Sequence, residues 1–120
     1  MLLAAADNAY VSHGSGLPEI VELPPGMHVL SDTDVDDRNN DRVMRTFTLL
    51  GDPNIEAGPY LEHMQQILAD RDVNVDPCAC LCRIFLDHGT VSSSMIALHN
   101  DGVGSSLYSY APGAPSQTPL

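Results

Sequence analysis

An aspartate run in the first third of the chain is a candidate cation site. Asp32, Asp34 and Asp36 alternate as the first ligands of a calcium loop do. An EF-hand loop also needs glycine at its sixth position and a bidentate glutamate at its twelfth, and these positions hold Asp37 and Val43. The run therefore predicts a solvated acidic loop before a helix, and weak binding of divalent cations by this loop stays open.

The three cysteines, Cys78, Cys80 and Cys82, are spaced by two residues in an apolar run. On a β-strand this spacing places all three side chains on one face. Tetrahedral zinc needs four ligands that converge on a point, whereas three side chains in a row diverge from any such point. Because free cysteine behaves as a small buried hydrophobe, we expect all three on one buried face of a central strand, without metal. Metal binding or redox chemistry is the alternative.

The histidines and hydroxyl groups are scattered along the chain. The five histidines lie one to an element, without the His-x-x-x-His spacing of a metal site: His13, His28, His63, His88 and His99. The run Gly-Thr-Val-Ser-Ser-Ser at residues 89–94 places hydroxyls near His88, which makes His88 and Ser93 a weak candidate pair of base and nucleophile. Such a run is more typical of a loop that enters a strand.

Charge and length limit the classes of partner. The chain has 120 residues, with 16 acidic against 5 basic residues and a net charge of -11. This balance repels phosphate, so nucleic acids and anionic membrane surfaces are poor partners. The length suits one domain with its own core. No apolar run approaches the roughly 20 residues of a membrane span and no leader pattern is present, so we expect a cytoplasmic protein.

Turn signals divide the first 30 residues into short extended segments. Asp-Asn, Gly-Ser-Gly and Pro-Pro-Gly turns separate the apolar segments at residues 2–6, 9–13, 17–23 and 27–30. Turns of these types join antiparallel neighbours, so the pattern predicts a meander of short strands.

Two helices are predicted next, at residues 41–50 and 56–70. Asn39 or Asn40 can cap the first, and Gly51 stands where a helix ends in a positive φ. Pro59 suits the first turn of the second helix, where its missing donor costs little. Their apolar stripes consist of Val43, Phe47, Leu50, Tyr60, Leu61, Met64, Ile67 and Leu68.

The last third predicts strands again, at residues 78–86, at 92–98 and from Leu107 onward, with a hairpin turn at Asn-Asp-Gly. Residues 111–120 are rich in Pro, Gly, Ser and Thr and predict a loose tail behind a single domain at residues 1–110. Without βαβ alternation, the fold class is α+β, with antiparallel sheets and two helices packed on one side.

Four stretches resemble the NRDE family, also called the transport and Golgi organisation family. Residues 22–37, which contain Leu-Pro-Pro-Gly-Met-His-Val-Leu-Ser, resemble the family stretch before its acidic turn and helix. Residues 88–98, beginning His-Gly-Thr-Val-Ser-Ser-Ser, are similar to a later Tyr-Gly-Thr-Arg-Ser-Ser-Thr strand of the family. Residues 1–13 and 101–119 fit the flanking hairpins. The order agrees throughout, and the similarity covers the C-terminal half of a family member.

The resemblance implies about half of the αββα sandwich of N-terminal-nucleophile hydrolases. The family carries a cysteine directly after its initiator methionine and an Asn-Arg-Asp-Glu motif, whereas this sequence has Leu2 and no such motif. Asp32 stands where the family resemblance implies an oxyanion-binding asparagine, and its negative charge opposes an oxyanion. At the place of an arginine stands Val91, which donates no hydrogen bond. The resemblance thus implies a chain that is catalytically silent by itself.

Three functions follow from this resemblance as hypotheses. The first is a non-catalytic fragment or subunit, from a truncated or split protein, whose partner supplies the missing N-terminal half. The second is a component of an amidohydrolase that acts on a carbon–nitrogen bond once paired with that half. The third is a carrier of haem or an acyl cofactor, with His28, His88 or a cysteine as axial ligand. No residue identifies a resident cofactor.

Overall fold

The computed structural model describes residues 1–14, 16–51, 57–118 and 120. In chain order its elements are β1 (Leu2–Ala4), β2 (Ala9–His13), β3 (Glu19–Leu23), α1 (Asp41–Leu50), α2 (Ala57–Leu68), β4 (Ser93–Ala97), a short 3-10 helix (Val103–Ser105) and β5 (Leu107–Ala111). Within these residues the strands form two antiparallel sheets, of three and two strands. The predicted α+β class is confirmed. Among the described helices, none is long and apolar enough to cross a membrane.

The N-terminal sheet is the predicted meander. β2 is the middle strand and pairs antiparallel with both neighbours, which places Val11 opposite Leu2 and opposite Val21. Val11 is fully buried. The prediction of a fourth strand at residues 27–30 is wrong. The backbone of this segment bonds instead to Asp36. The Asp36 carboxylate accepts a hydrogen bond from the Val29 N–H at 2.7 Å, and the Asp36 N–H donates to the Val29 carbonyl at 2.8 Å.

Helix α1 has the predicted bounds because its end signals are local. The Asn40 side chain accepts from the N–H groups of Arg42 at 3.0 Å and Val43 at 3.3 Å. These bonds satisfy two of the donors that a helix start leaves unpaired. Gly51 ends the helix with a φ of 61°, which a side chain would strain. For α2, the predicted start at Glu56 and the side chain of Tyr60 lie outside the described residues.

The main core joins the helices to loop segments. Its members are Val29, Val43, Leu50 and Ile67, with Met27, Phe47, Leu49, Met64 and Leu81 packed against them. Five predicted stripe residues belong to this core, namely Val43, Phe47, Leu50, Met64 and Ile67, whereas Leu61 and Leu68 do not. Among the described residues, no strand contributes to it. We expected a sheet to cover the helices. The extended segment around Val29 takes that place, because its hydrogen bonds to Asp36 hold it against α1 and α2.

The prediction of a cysteine-bearing strand at residues 78–86 is wrong. Asp76 begins a turn there: its side chain accepts from the Cys78 N–H at 2.8 Å and its carbonyl accepts from the Ala79 N–H at 2.8 Å. Such aspartate turns compete with strand formation. The turn leaves Cys78 exposed, while Cys80 and Cys82 are buried. The cysteines therefore do not share one buried face.

β4 and β5 form the predicted C-terminal hairpin, although its connection contains the 3-10 helix instead of a tight two-residue turn. The domain boundary drawn at residue 110 falls inside β5, since Ala111 is the last residue of that strand and is fully buried. Beyond it, Ala114 is buried, and the Cys82 thiol lies 3.2 Å from the hydroxyl of Ser116.

Candidate functional site

The loop within residues 22–37 is closed by His28. Its Nδ1 lies 2.7 Å from a carboxylate oxygen of Asp36, and its Nε2 lies 2.7 Å from the carbonyl oxygen of Pro24. Both partners are acceptors, so the geometry favours a ring that carries hydrogen on both nitrogens. The hydrogen bond to Asp36 and then the bond to Pro24 raise the pKa of His28. A ring with both nitrogens so engaged has no lone pair for a haem iron.

Asp36 holds this loop from the other side. It is a non-glycine residue with positive φ, at 58°, a conformation that aspartate adopts more readily than most residues. Burial raises the pKa of Asp36, but the hydrogen bonds from the Val29 N–H and from His28 outweigh burial, and the net pKa is lowered. The carboxylate therefore stays charged, and the loop presents Ser31 and Asp32 next to α1.

Asp32 lies at the surface of a cavity of about 460 Å³ that Arg42, Thr46 and Leu81 also line. Its carboxylate accepts hydrogen bonds from the Ser31 hydroxyl at 2.9 Å and from the Asn40 amide at 3.1 Å. The bond from Ser31, together with that from Asn40, lowers the pKa of Asp32. At neutral pH this position is therefore an anion, which would repel a developing oxyanion.

The remaining sequence candidates do not form a catalytic set. Val91 is 79% exposed on the segment before β4. The centre of the His88 ring lies 4.6 Å from the centre of the tilted Phe85 ring, and its Nδ1 lies 2.6 Å from a carboxylate oxygen of Asp87. The Ser93 hydroxyl is buried and forms no hydrogen bond to any described group. His88 is therefore not bonded to Ser93, and an unbonded serine hydroxyl has no base to activate it.

A pair of arginines that the sequence analysis did not single out meets beside these candidates. Arg42, in the first turn of α1, and Arg83 line one cavity of about 250 Å³ together with His88, Gly89 and Thr90. The two are far apart in sequence and belong to no motif. The one available signal is that they are two of only five basic residues in the chain.

The buried thiols line a separate cavity of about 280 Å³. Burial raises the pKa of the Cys80 thiol, and the charge of Asp70 acts in the same direction. The Cys80 sulfur lies 3.7 Å and 3.8 Å from the carbonyl oxygens of Asp72 and Asp76, so both neighbours are acceptors. This environment favours the protonated, unreactive thiol. Among the described residues no group of three or more His, Cys, Asp or Glu side chains could hold a metal ion.

Comparisons of the chain with protein-family models, with curated proteins and with solved structures found no match.

Proposed function

We propose that this chain is the non-catalytic half of an NRDE-type protein, which pairs with a complementary N-terminal half across an exposed apolar face. The complementary half would supply the second part of an N-terminal-nucleophile-hydrolase-like sandwich, on the same or a separate polypeptide. The observation that carries the proposal is the outer face of the β4–β5 hairpin.

One face of this hairpin is mostly apolar and open to solvent. Cross-strand pairing places Ile96 opposite Tyr108 and Ser94 opposite Tyr110, so these four side chains share one face. Ile96 is 62% exposed, Tyr108 is 63% exposed and Tyr110 is 53% exposed. The opposite face of the hairpin contains the buried Ser93, Met95 and Ala111. We call Ser94, Ile96, Tyr108 and Tyr110 together the hairpin face.

The total surface agrees with a missing neighbour. The chain exposes 8302 Å², whereas a folded monomer of 12.9 kDa exposes about 6,300 Å². Its radius of gyration is 15.2 Å, against about 13.6 Å for a compact chain of this length. The excess of about 2,000 Å² is the scale of surface that one member of a large, permanent interface buries.

The chemistry of the candidate site supports a non-catalytic role for this half. The resemblance implies an oxyanion-binding asparagine at the position of Asp32 and an arginine at that of Val91; here the first is an anion and the second carries no charge. The Ser93 hydroxyl has no hydrogen bond to a base among the described residues. An amidohydrolase would therefore need its nucleophile from the complementary half, and no hydrolysis of amides, thioesters or lactones is expected from this chain alone.

The test is association with the N-terminal half of an NRDE-family protein in sedimentation velocity. We expect a one-to-one complex with the wild-type chain, and a weakening of at least about a hundredfold for Ile96→Glu, which buries an unpaired charge. Leu17→Glu is the matched control, because Leu17 is 99% exposed and lies outside the hairpin face.

Equal weakening by Ile96→Glu and Leu17→Glu would contradict a role for the hairpin face, and the absence of any complex would contradict the proposal itself. An amide-hydrolysis assay on the mixed halves then separates a structural subunit from a component of an active amidohydrolase. Turnover by the isolated chain that is lost in His88→Ala or Ser93→Ala would show that this half is an enzyme by itself.

A further inference from the structure

The cavity between α1 and residues 83–90 concentrates positive charge in an otherwise acidic chain. Residues 83–90 form a tight turn, in which the Thr90 N–H donates to the Arg83 carbonyl at 2.7 Å and the Arg83 N–H donates to the Thr90 hydroxyl oxygen at 3.0 Å. Gly89 permits this closeness, because a β-carbon there would lie 2.6 Å from the Arg83 carbonyl oxygen. The turn thereby holds the Arg83 backbone beside Thr90 at the cavity that Arg42 also lines.

Neither arginine belongs to an ion pair of the described residues, unlike Arg45. Arg45 pairs with Asp70 and Asp72, and the guanidinium of Arg38 lies 4.8 Å from the centre of the Phe47 ring. Among the described ion pairs, none includes Arg42 or Arg83, although the chain has 16 acidic residues.

Each arginine is satisfied only in part by neutral groups. Arg42 donates to the Leu81 carbonyl at 3.4 Å, and Arg83 donates to the Cys78 carbonyl. The Nε atom of Arg83 is buried and has no hydrogen-bond partner in the part of the chain that the structure describes. A buried, unpaired donor on a charged group costs free energy until an acceptor meets it.

The pKa of Arg42 also reflects the positive charge that is gathered at this cavity. Burial lowers the pKa of Arg42, and the nearby Arg83 guanidinium lowers it further, against the opposite effect of Asp32. Two like charges that face one small cavity repel each other, and an anion between them would turn this repulsion into attraction.

We propose that this cavity binds a phosphate group, free or as a small monoester. Arg42 and Arg83 provide planar forks of donors, which match phosphate oxygens in pairs. The Thr90 hydroxyl accepts from the Arg83 N–H, so its own hydrogen is free to donate, and the exposed His88 ring lies at the same cavity. Donors from two separate segments suit a tetrahedral ion with several oxygens better than a planar carboxylate. A volume of about 250 Å³ lies below the range of about 300–1,000 Å³ that is typical of larger ligands.

This site goes beyond the proposed subunit function and does not depend on it. The net charge of -11 opposes any diffuse attraction of anions, so measurable binding must come from the local arrangement of arginines. The same net charge opposes long polyphosphates such as nucleic acids, whose remaining charges would face acidic surface.

The experiment is calorimetric titration of the full chain with inorganic phosphate, with methyl phosphate and with acetate. We expect saturable one-to-one binding of the phosphates, and a loss of at least about tenfold in affinity for Arg42→Gln, since a hydrogen bond to a charged group is lost. Arg71→Gln is the matched control, because it removes the same charge from an exposed arginine and should change the affinity by less than about twofold. Tighter binding of methyl phosphate than of phosphate would identify a monoester as the ligand, and the reverse order would identify the free ion.

A second measurement uses the unaltered chain and therefore does not depend on the folding of a variant. In an NMR spectrum of the arginine side chains, the Nε–H signal of Arg83 should shift with the same saturation curve as the calorimetric titration, while that of Arg38 should not. The proposal is wrong if phosphate does not saturate the chain, if acetate binds as tightly, or if the two arginine variants lose affinity equally.

Discussion

Replacement of His28 by glutamine should remove a pH-dependent part of the free energy of unfolding. His28 bonds to the Asp36 carboxylate and to the Pro24 carbonyl, each at 2.7 Å, and these bonds close the loop that covers the helices. Glutamine is neutral and can replace one of the two donors. Hydrogen bonds to charged groups contribute about 1.5–3 kcal/mol, and partial exposure of this pair reduces the value, so we expect a loss of about 1–2 kcal/mol.

The pH dependence has a definite sign. The pKa of His28 is raised above its ordinary 6.5, so its contribution is complete below pH 6.5 and is lost as the pH rises through the folded-state value. The pKa of Asp36 is lowered from 3.8, so the contribution of this carboxylate is present above pH 3.8 and is lost as the pH falls through its folded-state value. The difference between wild type and His28→Gln should therefore be largest between these limits.

Urea unfolding at about pH 5.5 and about pH 8.5, on either side of the ordinary histidine range, measures this difference. The gap between wild type and His28→Gln should be about 1–2 kcal/mol at the lower pH and clearly smaller at the higher pH. His99→Gln is the matched control, because His99 is an exposed histidine and should change the stability by less than about 0.5 kcal/mol. A gap that is independent of pH, or that grows as the pH rises, would refute the assignment of a charged His28.

Three further perturbations test the packing. Arg45→Met should cost about 3 kcal/mol in urea unfolding, since the Asp70 side chain is only 7% exposed and would lose its bidentate partner, whereas the exposed Arg71→Met should cost little. Asn40→Ala should cost about 1 kcal/mol through loss of the helix cap, measured in the same way. A thiol reagent should modify one cysteine of the native chain, Cys78, and the other two only after unfolding, as mass spectrometry would show.

The parts of the fold that the sequence predicted are those set by neighbouring residues. The cap at Asn40, the positive φ of Gly51 and the apolar stripe between them define α1 without reference to the rest of the chain. The strands of the meander likewise follow from the turns that join them.

The parts that sequence reasoning missed depend on contacts between distant residues. The apolar run at residues 78–86 has the composition of a strand, but Asp76 turns its start and the Cys82 N–H bonds to the Asp70 carbonyl at 3.0 Å. No spacing rule could predict that bond. The meeting of Arg42 with Arg83 is of the same kind, because it exists only after α1 and the turn at residues 83–90 have come together.

The central proposal, that this chain pairs with a complementary N-terminal half, is tested most directly by the heat-capacity change of association. Calorimetry at several temperatures would measure the binding of the chain to the N-terminal half of an NRDE-family protein. If each half buries about 2,000 Å², mostly apolar, the heat-capacity change should be about −0.7 kcal/mol/K. A value near zero, or no heat of association between the two halves, would contradict the claim.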